Sequence, residues 1–148
     1  MAELEVHSIE QPIATRQWKD LQRLCELTPI KIALDEELIG LNHFEILEEV
    51  RPQCIILKPS LHGGLCKCLH WLKRAEKSSI QWWITSALES NIGLNAIAQF
   101  TAEHSIGQLH GLGTGQLFTQ NIPSPLTLES QYMHYQTSKS WDTSLLTS

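Results

Sequence analysis

Three ionisable residues stand where short apolar runs end. Glu10 closes Ser8-Ile9-Glu10-Gln11-Pro12, Asp35 closes Ala33-Leu34-Asp35-Glu36-Glu37, and Lys58 closes Leu57-Lys58-Pro59-Ser60. Each lies one repeating unit beyond the last. If the runs are neighbouring parallel strands, the three side chains converge on one mouth, because the loops at the C-terminal ends of parallel strands surround a common space. Two adjacent carboxylates are hard oxygen donors of the kind Mg²⁺ prefers, and an ammonium beside them can act on a proton or on developing charge. Any one of the three alone reads more simply as a solvated strand-end residue. The consecutive register argues for a site.

The elements that would position them alternate. Apolar runs rich in β-branched residues span Leu4 to Glu10, Ile30 to Asp35, Cys54 to Lys58, Ile80 to Thr85 and, more briefly, Gln108 to Gly111; each reads as a strand. Between them, Thr15 to Leu27, Asn42 to Val50, Gly63 to Lys77 and Ile92 to His104 have helical spacing, with Thr15 a candidate N-cap. This alternation predicts an α/β fold with a parallel sheet and helical crossovers. A doubly wound sheet and a barrel both fit. A complete (β/α)₈ barrel takes eight units and typically about 250 residues, whereas five strands are visible in these 148 residues. From Pro123 to Ser148 the pattern is lost, and the segment reads as an irregular tail whose Tyr132, Tyr135 and Trp141 favour partial packing.

Composition narrows the function classes. With 42% hydrophobic and 18% charged residues the chain has the make-up of a folded domain, and its formal charge of -5 offers no basic field for phosphates, which argues against nucleic acid as a partner. No apolar run reaches the roughly 18 residues of a membrane span, and the acidic N-terminus does not resemble a signal peptide. A cytosolic setting is expected, with Cys25, Cys54, Cys66 and Cys68 as reduced thiols. Cys25, Cys54 and Cys66 sit in apolar patterns that suit buried positions.

The order Glu-Gln-Pro, then an apolar run into Asp-Glu-Glu, then Ile-Leu-Lys-Pro followed by Gly63-Gly64 resembles strands four, five and six of the enolase superfamily. Within it the pattern is most similar to the o-succinylbenzoate synthases. The segment Ile84-Thr85-Ser86-Ala87-Leu88-Glu89-Ser90-Asn91-Ile92-Gly93-Leu94 is similar to the Ser-rich stretch of strand seven, and His110-Gly111-Leu112-Gly113-Thr114 resembles the turn after strand eight. The resemblance runs from about Leu4 to Pro125. It implies residues 1–122 as the C-terminal half of a barrel, a partial (β/α)₈ fold of five parallel units, and 123–148 as a tail.

The same resemblance implies roles. Glu10 and Asp35 would be two of three carboxylate ligands of an essential Mg²⁺. Lys58 would be the strand-six lysine that faces the intermediate as a cationic stabiliser. Ser86 and the backbone around Gly111 would contact the carboxylates of a small-molecule substrate, and Glu36 would support the metal ligands. The reaction implied is dehydration of 2-succinyl-6-hydroxy-2,4-cyclohexadiene-1-carboxylate to o-succinylbenzoate in menaquinone synthesis. N-acylamino acid racemisation and dipeptide epimerisation use the same ligands and remain alternatives, as does a non-catalytic half-barrel. The family's strand-two Lys-x-Lys, its strand-three Asp and its capping domain lie upstream of the Glu10 motif and are not found in this sequence. Little turnover and weak Mg²⁺ binding are therefore expected of the chain alone. Unpaired sheet edges further suggest assembly with a separate N-terminal half or self-association.

Two other patterns compete for attention. His62, Cys66, Cys68 and His70 are zinc-type ligands, but on a helix the three that share a face span about 12 Å of rise, too far for one ion. Gly111, Gly113 and Gly115 could cradle a phosphate, yet they lack the spacing of a dinucleotide fingerprint. Trp82 and Trp83 have apolar neighbours and read as core and wall of a strand.

Overall fold

The computed structural model describes residues 2–105, 107–113, 117–142 and 144. The chain divides into two compact units, Met1–Thr85 and Ser86–Ser148.

The first unit is a βα alternation. Strands β1 (Ser8–Glu10), β2 (Lys31–Leu34), β3 (Cys54–Leu57) and β4 (Gln81–Ile84) are separated by helices α1 (Trp18–Leu27), α2 (Ile46–Val50) and α3 (Leu65–Lys77). The strands form one sheet in sequence order, with every neighbouring pair parallel. Parallel neighbours need a crossover, and the intervening helices supply it.

Side chains alternate along a strand, so register fixes two faces. Glu10 pairs with Ala33, Ala33 with Cys54, and Ile56 with Trp83; these share one face, and by alternation so do Asp35 and Lys58. Ala33, Cys54 and Ile56 are fully buried there, with Trp83 packed against them. The ring of His7, just before β1, lies 5.9 Å from that of Trp83 on β4. Four flat strands would put these edges roughly 14 Å apart, so the sheet curls and its outer strands approach over this face.

Ile32, Leu34, Ile55, Leu57 and Ile84 point the other way and are buried, toward the face that the helices cover. Helix α3 presents Cys68, Trp71, Leu72 and Ala75 as its buried stripe, at i, i+3, i+4 and i+7. Burying each large apolar side chain contributes about 1.5–3 kcal/mol. Cys66 falls off this stripe and is exposed, whereas Cys68 is buried; helical spacing, not the apolar character of its neighbours, decides which thiol is inside. The helix starts at Gly64, whose φ of 93° and ψ of 176° are a conformation essentially restricted to glycine.

Helix α1 begins at Trp18, three residues after the expected Thr15 cap. Arg16 takes a left-handed φ of 69°, and its N–H donates to the Glu37 carboxylate at 2.9 Å, so the helix cannot extend back through it.

In the second unit, helix α4 (Asn91–His104) starts at Ser90, whose hydroxyl accepts the Gly93 N–H. The expected strand at Gln108 to Gly111 is not a member of the parallel sheet, which has four strands among the described residues. The segment has only one large apolar residue, Leu109, and that is 91% exposed. The expected irregular tail contains an antiparallel hairpin, β5 (Leu126–Glu129) and β6 (Tyr132–Tyr135), turned at Ser130 with φ 58°. Tyr132 and Tyr135 are exposed. Backbone pairing holds this segment, together with Asn121, whose amide oxygen accepts the Asn91 N–H at 2.9 Å. No described helix is long and apolar enough to cross a membrane.

Candidate active site

Glu10, Asp35 and Lys58 come together at the C-terminal ends of β1, β2 and β3. Asp35 is completely buried, and the Lys58 ammonium donates directly to its Oδ2. The other oxygen, Oδ1, is buried without a hydrogen-bond partner among the described residues. Glu10 is pushed up to about 7, first because its carboxyl hydrogen bonds Asp35, then by burial and by the negative charge of Asp35; the nearby Lys58 charge opposes the shift. A carboxyl beside a like charge keeps its proton to higher pH than one alone.

The turn after β2 is held by residues that the sequence reading left without a role. Gln11 follows Glu10 in the left-handed region, at φ 38°, with its N–H on the Ala33 carbonyl at 2.9 Å. Its side-chain oxygen accepts the N–H groups of Asp35 and Glu37, both at 3.2 Å, while its amide nitrogen donates to Ile13 O at 3.1 Å. One glutamine therefore couples the end of β1 to the backbone that aims Asp35. Glu37 is fully buried and accepts the Trp18 indole N–H at 2.7 Å and the Arg16 guanidinium at 3.2 Å, in addition to the Arg16 N–H. Its charge is paired on every side the chain offers. Glu36, expected as the supporting acid, is exposed and acts on Glu10 through its charge alone.

The turn after β3 is equally ordered. The Lys58 carbonyl accepts the N–H groups of Leu61 at 2.9 Å and His62 at 3.0 Å, and Pro59 O accepts Gly64 N–H at 2.9 Å. His62 is 1% exposed, and its Nδ1 accepts the Lys58 N–H at 2.7 Å. Burial lowers its tendency to protonate. Among the described residues no three His, Cys, Asp or Glu side chains are grouped to hold a metal.

Ser86 and Gly111 lie in the second unit and are bonded to each other. Ser86 donates its N–H to Gly111 O at 2.9 Å and its hydroxyl to the same oxygen at 3.3 Å. Thr114 and Gly115, the remaining residues of the glycine-rich turn, lie outside the described residues.

The first-unit donors fit a hard divalent cation. Both are carboxylates, Asp35 Oδ1 receives no N–H among the described residues, and a proton already competes for Glu10 near neutrality. They are two ligands of the set Mg²⁺ demands, and the described chain groups no third with them.

The model of the family described as "Enolase C-terminal domain-like" matches residues 1–138. The chain belongs to the enolase superfamily. It is 51% identical over 132 residues to an o-succinylbenzoate synthase of Desulfotalea psychrophila, covering 87% of this chain and 36% of that relative. The crystal structure of MenC from the same organism superimposes with a TM-score of 0.85 at 50% identity, over 89% of this chain and 38% of that one. The muconate lactonizing enzyme of Pseudomonas putida gives a TM-score of 0.77 at 25% identity, over 87% and 37%. This enolase-superfamily chain thus has the barrel-like α/β fold of the superfamily's C-terminal domain and spans about a third of the length of the relatives it matches.

Proposed function

We propose that this chain is the C-terminal half of an o-succinylbenzoate synthase barrel, its sheet corresponding to strands four to seven, with Gln108 to Gly111 in the place of strand eight and 123–148 as the tail. The reaction is the loss of water from 2-succinyl-6-hydroxy-2,4-cyclohexadiene-1-carboxylate: the proton α to the carboxylate and the ring hydroxyl depart, and the ring becomes aromatic. The observation that carries this reading is the contact of the Lys58 ammonium with buried Asp35, beside Glu10, on three neighbouring strand ends, in a chain 51% identical to a protein of that name.

Glu10 and Asp35 would hold Mg²⁺, which when bound supplies a Lewis acid for the substrate carboxylate. Lys58 places positive charge where negative charge develops as the α proton leaves. Gln11 and Glu37 keep the Asp35 backbone fixed, and Glu36 adds a charge at the rim. By the same resemblance Ser86 and the Gly111 backbone would contact the substrate's carboxylates. The catalytic base and a third metal ligand would come from the N-terminal half of the barrel, in the cytosol; a second copy of this chain would cover the open sheet edges without supplying either group.

The test is turnover of the cyclohexadiene substrate with Mg²⁺ by the chain alone and by the chain mixed with an N-terminal half bearing the Lys-x-Lys strand. Activity is expected only in the mixture, and Lys58→Ala is expected to lower it by about 10²–10³-fold. An assembled mixture that leaves the substrate untouched would overturn the assignment.

A further inference from the structure

We propose that His62 is a positioning residue for Lys58, fixing through Nδ1 the peptide from which the lysine reaches Asp35. Leu57 still turns its polar groups toward β4, its carbonyl accepting the Thr85 N–H at 2.9 Å, so by alternation the Lys58 N–H faces the β2 side, beyond the last β2–β3 register pair, Leu34 and Ile55. It donates instead to His62 Nδ1 at 2.7 Å, while the His62 N–H returns to the Lys58 carbonyl at 3.0 Å. Residues 58 and 62 are thereby locked in a closed pair of hydrogen bonds that sets the Lys58 peptide plane. Nδ1 also lies 2.8 Å from the Lys58 carbonyl oxygen, so this one ring nitrogen meets both backbone polar groups of Lys58, accepting from the N–H when bare, and Nε2 is left outside the contact.

That second nitrogen is buried without a hydrogen-bond partner among the described residues. A buried unpaired ring nitrogen is unfavourable, and an apolar residue would fill the same volume without it. The acceptor at Nδ1 is what an imidazole offers here and a leucine or phenylalanine does not. With 1% exposure the ring acts through Lys58.

Asparagine and glutamine separate the two nitrogens, because the Asn side-chain oxygen stands near the Nδ1 position and the Gln oxygen near Nε2. In the full chain, His62→Asn is expected to keep the Lys58 amide within about threefold of its original hydrogen-exchange rate, whereas His62→Gln and His62→Phe speed it roughly tenfold, the loss of one hydrogen bond. Protection retained in the Phe variant, or lost equally in the Asn and Gln variants, would mean that volume alone matters and would overturn the proposal. Should the Phe variant not fold, the Asn and Gln pair decides alone. The consequence for catalysis rests on the role proposed for Lys58. In the reconstituted mixture kcat falls in the Gln variant and recovers in the Asn variant at similar KM; unchanged kcat in the Gln variant would refute the positioning role. The exchange pattern does not depend on the reaction, so it stands or falls separately from the o-succinylbenzoate assignment.

Discussion

A glutamine braces each end of the four-stranded sheet, and the two ends are finished differently. At the N-terminal rim, Gln53 accepts the Ile32 N–H at 2.9 Å, donates to Cys25 O at 3.0 Å, and offers its own carbonyl to Gln81 N–H at 3.0 Å. Lys31 completes this rim by donating to the Gln81 side chain at 2.8 Å. At the C-terminal mouth, Gln11 ties together the same kinds of backbone group but in a left-handed conformation, and the residues it aims include a buried acid with one unpartnered oxygen. Both ends hold left-handed non-glycine residues, Gln11 at the mouth and Arg51 and Ser79 at the rim; what sets the mouth apart is buried charge and an open acceptor. In parallel α/β folds the first arrangement serves stability and the second serves chemistry.

The comparison is broken most forcefully at the Asp35 and Lys58 pair. Lys58→Met leaves the buried carboxylate without its cation and is expected to cost about 3–5 kcal/mol in chemical denaturation. Adding Asp35→Asn removes the stranded charge and should restore most of that loss. If the single and double variants are equally destabilised, the pair does not carry the energy that the geometry implies.

The two glutamines give the next largest effect. Gln53→Ala strips the Ile32 N–H of its acceptor and is expected to lower stability by about 1–3 kcal/mol. Gln11→Gly loses comparable hydrogen bonds but relieves a left-handed non-glycine residue worth roughly 1 kcal/mol or more, so it should be the milder of the two in thermal melts. Its signature would be faster amide exchange at Asp35 and Glu37. A Gln11→Gly variant that melts below Gln53→Ala would mean that the left-handed backbone at Gln11 costs less than its hydrogen bonds contribute.

Much of this difference between ends was legible in the sequence. The strand-end positions of Glu10, Asp35 and Lys58 followed from apolar runs of uniform spacing, and the parallel sheet followed from their alternation with helices. What escaped was set by contacts distant along the chain. Whether Glu36 or Glu37 turns inward depends on Arg16 and Trp18, some 20 residues away, and no periodicity in the Asp-Glu-Glu triplet distinguishes them. His62 was visible only as a metal-type residue, because its bond is to a backbone N–H that carries no sequence signal. The late start of α1 likewise reflects backbone claimed by a tertiary hydrogen bond, that of the Arg16 N–H to Glu37. The hairpin was hidden because its strands are short, half polar and only partly buried, which removes the alternation by which strands are recognised.

The smallest effect, and the one most specific to the mouth, concerns pH. The Glu10 carboxyl is raised from 4.5 to about 7 by its hydrogen bond to Asp35, so the folded state binds the Glu10 proton more tightly than the unfolded chain does. A group shifted in this direction contributes its stability fully below pH 4.5 and loses it as pH climbs through 7. Glu10→Gln keeps a hydrogen-bond donor at the site and cannot ionise. Its melting temperature relative to the parent should therefore rise between pH 5 and 8 and then level. Mg²⁺ should act oppositely at pH 8, raising the melting temperature of the parent by supplying the charge that the shared proton no longer provides, with a smaller response from Glu10→Gln. Parallel melting profiles across this range, with and without Mg²⁺, would separate Glu10 from Asp35 and leave the mouth no different in kind from the rim.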